Sequence, residues 1–340
     1  MAYRVVITKA GGPKVLDIQE IPIPEPGQNE ICIAVYFAGI NFADTLMRLG
    51  FYQPRPPFPF TPGYEVSGVV HSIGSEVEGF EIGQRVVGLM RTGGQASHVI
   101  ADASRTLPIP DEISLEAAAS MPVTYITAHH MLHHLGNLKS TDSVLIHGGG
   151  GGVGTAALQL CQWAGVGNVW STASAAKADI IQSYGATAID RHREDFVEII
   201  KSATKGKGID HILDPIGGGH LKRSLSVLAQ GGKLYTYGMS SAAPSSKRSL
   251  WKALKALRSR PKFDPMVMMS RNQGVFGIHM GTWNDEKVMQ EQMENIIKGI
   301  KTGALTPIID SIYDAKDVAL AHQHIHDGKN IGKVLLKFVD

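Results

Sequence analysis

Cysteine is scarce: only Cys32 and Cys161 occur in 340 residues. They lie far apart, each in an apolar run. That excludes a disulfide framework and a four-cysteine zinc lobe, and it fits a reducing compartment. No run of 18 apolar residues exists, so the sequence offers no membrane-spanning helix. The N-terminus, Met1-Ala2-Tyr3-Arg4-Val5-Val6-Ile7, enters a strand pattern directly and lacks the charged-then-apolar order of a signal peptide. A cytoplasmic, soluble protein is expected. A strong charge imbalance is also missing. The net charge of +2 is too small for general nucleic-acid binding, so no nucleic-acid partner is expected. What the chain has is apolar material: 43% of its residues, ample for a packed core, in a length that suggests about two domains.

The texture divides the chain. Residues 1–122 read as short strands broken by turns, among them Glu30 to Ala38, Val66 to Ile73 and Gln84 to Leu89. Pro22, Pro24, Pro26, Pro54, Pro56, Pro57, Pro59 and Pro62 interrupt any helix. From 123 to 302, strands near 143–147, 168–172, 187–190, 209–214 and 232–238 alternate with helical stretches. This alternation predicts an α/β domain with a doubly wound parallel sheet covered on both faces. The tail, Asn330 to Phe338, reads as a strand again, so 303–340 is expected to complete the first domain.

The densest motif is Ser143-Val144-Leu145-Ile146-His147 followed by Gly148 to Gly154 and Thr155-Ala156-Ala157-Leu158. A buried strand runs into a glycine turn and then a helix. Gly149, Gly151 and Gly154 satisfy G-x-G-x-x-G, the spacing that admits a tight turn, close approach of backbone to a pyrophosphate, and close helix–strand packing. With Gly150, Gly152 and Val153 they would present first-turn N–H groups to a diphosphate. The acidic residue that usually follows about 20 residues later is absent. The second strand ends instead at Ser171-Thr172-Ala173-Ser174-Ala175-Ala176-Lys177, and the third at Asp190-Arg191. Ser174, Lys177 and Arg191 could meet around a 2′-phosphate, which favours NADPH. Asp190 could instead serve a ribose. Ligands of open α/β sheets sit at the carboxyl ends of strands, which adds Asp214, then Gly238, Met239 and Ser240, then Phe276, Gly277 and Ile278.

The order of motifs resembles the medium-chain dehydrogenase/reductase superfamily over essentially the whole chain, and within it the zeta-crystallin-like quinone oxidoreductase branch. Asn41-Phe42-Ala43-Asp44-Thr45-Leu46-Met47-Arg48-Leu49-Gly50-Phe51-Tyr52 matches that branch's N-x-x-D-x-x-x-R-x-G-x-Y pattern. Tyr125-Ile126-Thr127-Ala128, Asp214-Pro215-Ile216-Gly217-Gly218 and Phe276-Gly277-Ile278-His279-Met280-Gly281 are similar to the synaptic vesicle membrane protein homologue subgroup. The resemblance implies a GroES-like catalytic domain carrying a Rossmann-type nucleotide domain. It implies that Asn41 and Tyr52 line the cleft near the nicotinamide, with Tyr52 a candidate proton donor. It further implies that Thr127 and the stretch at Phe276 contact the cofactor, and that Asn330 and Lys333 close on it. Lys333 also reads as an ordinary strand residue, and Tyr52 as a packed loop tyrosine.

Zinc members of the superfamily need Cys, His and a further Cys or Asp. Tyr64 stands where the His would be, and Ile40 and Asn41 stand near the first Cys. No metal is expected. The expected activity is zinc-independent, NADPH-dependent reduction of a small planar quinone, enone or enal by hydride transfer. A homodimer joined through the sheet edge near Val275 is expected by analogy. Asp44 and Arg48, four apart on a helix, are expected to pair. His129, His130, His133 and His134 read as ordinary helix histidines. In 244–271, Leu250, Leu254 and Leu257 share one helical face among Lys252, Lys255 and Arg258. That segment reads as a lid or packed helix with its apolar side down, its methionines lining a pocket, or as a membrane-surface contact. The alternative function is accordingly a nucleotide-binding partner or membrane-surface protein with weak or no catalysis.

Overall fold

A computed structural model describes residues 1–339. Contacts divide the chain into two units: residues 1–126, 245–248 and 283 onward, and residues 127–244 with 249–282. The first unit is built on a seven-stranded sheet. Strands run in the order Ile309–Asp314, Lys333–Lys337, Glu30–Ile40, Glu65–Ile73, Arg85–Leu89, Thr106–Pro108, and His98–Asp102 also pairs with Glu30–Ile40. Its interior is β-branched, as pleated, half-buried surfaces favour: Ile31, Ile33, Val35, Val66, Val70, Val86 and Val334 are all buried. The C-terminal strand pairs Val334 with Ile40 and Leu335 with Gly39, antiparallel to the long strand.

The second unit holds six parallel strands, labelled β1 (Ser143–His147), β2 (Asn168–Ala173), β3 (Thr187–Asp190), β4 (Ile209–Asp214), β5 (Leu228–Thr236) and β6 (Gly274–Gly277). Their spatial order is β3-β2-β1-β4-β5-β6, a doubly wound sheet whose order reverses between β1 and β4. Four of the five expected strands lie within one residue of their expected limits. The fifth begins four residues early, at Leu228. Leu145, Ile189, Phe196, Ile200, Ile212, Leu221 and Leu234 form the core on one face. β6 is an edge strand, as anticipated. Among the described residues no helix is long and apolar enough to cross a membrane.

The segment 244–271 does not turn its apolar side inward, as the lid and packed-helix readings require. It forms helices Leu250–Arg258 and Pro265–Arg271. The first packs through Ala253 and Ala256, while Leu250 is 63% and Trp251 72% exposed, and Leu254 and Leu257 are exposed too. The periodicity was that of an amphipathic helix, but small residues seat it and its leucines face out. Met266 and Met269 are likewise exposed.

Candidate functional site

The glycine turn follows β1 as read. Gly148 has φ +75°, a left-handed conformation natural to glycine. A Cβ on Gly149 would collide with the Ser171 hydroxyl, and one on Gly154 with the Gly148 carbonyl. The turn therefore cannot relax outward, and the helix Gly152–Trp163 starts against it. That helix begins at Gly151 with no side-chain cap, so its first-turn N–H groups, including Val153, are left for an anion. A Cβ on Gly150 would strike the Lys177 stem: Lys177 lies directly across the loop. Ser174 follows β2, and its carbonyl accepts the Lys177 N–H at 2.9 Å. Arg191 is exposed beyond β3, its backbone N–H donating to Ala173, its Nε 3.2 Å from His192 Nε2. Asp190 is occupied by its own turn. Its Oδ1 accepts the His192 N–H, and its Oδ2 lies 3.8 Å from Arg193 Nε.

Other strand-end positions differ in kind. Asp214 is fully buried. Its Oδ1 accepts the backbone N–H groups of Ile216 (2.8 Å) and Gly217 (3.0 Å), and its Oδ2 accepts from Ser224 Oγ (2.8 Å) and His220 Nδ1 (2.9 Å). Burial pushes this carboxyl up, but the His220 hydrogen bond, the facing His147 and His220 imidazoles and the Gly217 N–H outweigh it and hold it at about 2. Ser240 N–H donates to the Pro215 carbonyl, and Gly238 is packed against Pro215 too closely for a side chain. Met239 lies between them. Phe276 and Gly277 sit on β6, and the Ile278 N–H donates to Thr236. Thr127 is buried on the helix Pro122–His129.

In the first unit the long strand and its neighbours create a second cluster. Register pairs Val334 with Ile40 and Val66 with Ala38, so Lys333, Asn41, Glu65 and Gly39 stand at the adjoining positions. Lys333 Nζ donates to Asn41 Oδ1 at 2.6 Å and pairs with Glu65 Oε1, which also accepts from Asn41 Nδ2 at 2.9 Å. Glu65 Oε2 accepts the Val123 N–H at 2.7 Å. Gly39 makes the room: a Cβ there would lie 2.7 Å from Lys333 Cε. Asn330 Nδ2 donates to the Gly332 carbonyl and shapes the approach to that strand.

Asp44 accepts the N–H groups of Asn41 (2.8 Å) and Gly63 (3.0 Å); burial pushes its carboxyl up to about 7 against these bonds. The expected Asp44–Arg48 pair does not form. Arg48 is fully buried and turns its Nε to the Gly11 carbonyl at 3.2 Å. Two backbone donors next to Asp44 outcompete a guanidinium one turn away.

Tyr52 and Tyr64 meet edge to face, centroids 6.4 Å apart. Burial raises the Tyr52 phenol above its ordinary value, and the Tyr64 hydroxyl, its hydrogen-bonding partner, pulls it partly back. Tyr52 thus keeps its proton at neutral pH and can donate it.

Glu65, Gly39, Ser171, Thr172, His147, Ser224 and His220 were not singled out from sequence. Glu65 was legible as the neighbour of Tyr64 in the segment read for zinc. His147, Ser171 and Thr172 were quoted only as parts of their strands, and Ser224 and His220 carried no motif. His147, Asp214 and His220 are, among the described residues, the one group of three His, Cys, Asp or Glu side chains whose ligand atoms fall within 4.8 Å of one another. Both ring nitrogens of His147, the Nδ1 of His220 and both oxygens of Asp214 are already engaged, with each other, with Thr172 and Ser224, and with the Ile216 and Gly217 N–H groups.

Known proteins share this organisation. Residues 27–111 match the alcohol dehydrogenase GroES-like domain family, and residues 184–336 match a family described as zinc-binding dehydrogenase. The human synaptic vesicle membrane protein VAT-1 homolog is 35% identical over 98% of this chain and 85% of its own. Human quinone oxidoreductase is 29% identical, covering 98% of this chain and 96% of its own. The crystal structure of Escherichia coli quinone oxidoreductase complexed with NADPH superposes with a TM-score of 0.87 at 26% identity, covering 98% of this chain and 99% of that one. With both family matches in chain order and a relative of that identity across nearly its full length, the chain belongs to the medium-chain dehydrogenase/reductase superfamily.

Proposed function

We propose that this protein is an NADPH-dependent oxidoreductase that reduces quinones or related conjugated carbonyls without zinc. The observation that carries the reading is the glycine turn with Lys177 laid across Gly150 and no acidic side chain ending β2. A bound dinucleotide supplies the hydride. Gly149 to Gly154 receive its diphosphate, and Lys177 with Arg191 favours a 2′-phosphate over a bare ribose. The E. coli relative holding NADPH supports this choice. Asn41 is held by Lys333 and Glu65, and Tyr52 retains a proton to give to the developing oxyanion. Tyr64 and Asn41 are poor zinc ligands, which supports a metal-free site. The exposed edge of β6 supports a homodimer, and the sequence supports a cytoplasmic setting.

Fluorescence titration with NADPH and NADH tests the cofactor assignment. The parent is expected to favour NADPH by about tenfold or more, and Lys177→Ala to lose that preference, as removal of one or two charge-assisted hydrogen bonds predicts. Equal affinity for both dinucleotides in the parent sinks it.

A second reading has its own observation. The outward leucines and Trp251 of Leu250–Arg258 stand among Lys252, Lys255 and Arg258, and no Asp or Glu occurs from 215 to 263. Such a face suits an anionic lipid surface. The protein is expected to co-sediment with phosphatidylcholine/phosphatidylserine vesicles, and the triple variant Lys252→Glu, Lys255→Glu, Arg258→Glu to remain in solution. A parent that stays in the supernatant removes this reading.

A further inference from the structure

The reversal point of the sheet, between β1 and β4, is bridged by side chains rather than left open. His147, the last residue of β1, is fully buried, with Thr172 of β2 on one side and Ser224 of the helix His220–Ser226 on the other. His147 Nδ1 lies 2.9 Å from Thr172 Oγ1, and its Nε2 lies 3.2 Å from Ser224 Oγ. Ser224 Oγ is in turn 2.8 Å from Asp214 Oδ2, which His220 Nδ1 also reaches.

The protons of this chain can be ordered. Asp214 is an acceptor only, and a hydroxyl donates best to a charged oxygen, so the Ser224 proton goes to Asp214. The Ser224 oxygen is then free to accept, which fixes the proton of His147 on Nε2. Burial keeps His147 neutral, so its Nδ1 is a bare acceptor and Thr172 Oγ1–H donates to it. Every donor runs toward Asp214, from Thr172 through His147 and Ser224, and His220 donates from the far side.

Both ends of the chain hold loops. The Thr172 carbonyl accepts the N–H groups of Gly148 (2.8 Å) and Gly149 (3.3 Å). At the other end Asp214 Oδ1 fixes the N–H groups of Ile216 and Gly217. The Pro215 and Ile216 carbonyls then accept from Ser240 and Ser241. The carboxyl ends of β2, β1, β4 and β5 are thereby tied together.

We infer that Thr172, His147, Ser224 and Asp214 are positioning residues for the dinucleotide, a one-way hydrogen-bond chain that presets the glycine turn which receives the diphosphate. The inference rests on the cofactor reading above. Preorganised donors bind more tightly because no ordering remains to be done on binding.

The experiment is NADPH titration of the full chain alongside its melting temperature. Thr172→Val, which keeps shape but removes the hydroxyl, and Ser224→Ala are each expected to raise the Kd by about 5–10-fold, the effect of one lost hydrogen bond. Thr172→Ser, which restores the hydroxyl, is expected to recover most of the affinity. If Thr172→Val and Ser224→Ala bind like the parent and only melt earlier, the chain is structural and the inference falls alone. If the parent binds neither NADPH nor NADH, the cofactor reading falls and the inference with it. Zinc that raises the parent's melting temperature, an effect lost in His220→Gln, would also overturn it, by showing a metal site instead.

Discussion

Lys333→Met is expected to destabilise the first unit by about 3–5 kcal/mol, measured by urea unfolding, because it leaves a buried carboxylate without its counter-charge. Glu65 is fully inaccessible and Lys333 almost so. Neither oxygen of Glu65 faces water: one takes Lys333 and Asn41, the other the Val123 N–H. Removing both charges should cost much less. In the double variant Glu65→Gln, Lys333→Met no unpaired ion is left, and the Gln carbonyl can still accept from Val123. A recovery of more than half of the single-variant loss is expected. A single variant as stable as the parent would show that the pair is not held out of water. Gly39 bears on the same point, since the pair occupies the space a side chain would take on the central strand.

Acid should weaken the second unit from about pH 6.5 downward, and His147 should account for a measurable part of the slope. Burial holds the folded imidazole at about 3, against an ordinary value near 6.5. The folded pKa lies below the unfolded one, so the unfolded chain binds the extra proton in that window. Stability is then full above about 6.5 and falls by about 1.4 kcal/mol per pH unit for this one group as pH drops toward 3. Asp214 adds to the loss lower down. Its depressed carboxyl, at about 2, contributes stability that is complete above the unfolded value and is lost as pH falls through about 4 to 2. Urea unfolding at pH 7, 6, 5 and 4 on the parent and on His147→Gln separates this group from the other buried histidines. The variant should be less stable at pH 7 and lose stability more slowly on acidification. Parallel curves would mean that His147 is not the titrating group.

What could be read from sequence follows from range. The strands of the second unit are short β-branched or apolar runs between turns, and each of these signals is local. The glycine turn is local as well, and the steric reasons for Gly149 and Gly154 match the reasons the motif exists. The Lys333–Glu65 pair was not legible. Its members stand 268 positions apart, and only sheet register brings them together. The direction of Leu250, Leu254 and Leu257 stays open in the sequence for a different reason. Periodicity shows that a helix has two faces, but not which face packs, and here two alanines permit the closer approach. The Asp44–Arg48 expectation failed on competition, since i,i+4 spacing allows a pair only if neither partner has a nearer one.

The path of the chain through its two units also bears on synthesis. Residues 127–282, which include every strand of the second sheet, leave the ribosome before Lys333–Lys337, the strand that lies between Ile309–Asp314 and Glu30–Ile40. The nascent protein can therefore finish the second unit while the first still waits, with Phe37 to Ile40 of the long strand unpaired on one side, for Lys333–Lys337 to be made. Domains that emerge first fold first. Termination just before Lys333 would thus release a chain with a complete nucleotide-type unit and a first sheet lacking one strand, a species marked for chaperone capture or proteolysis.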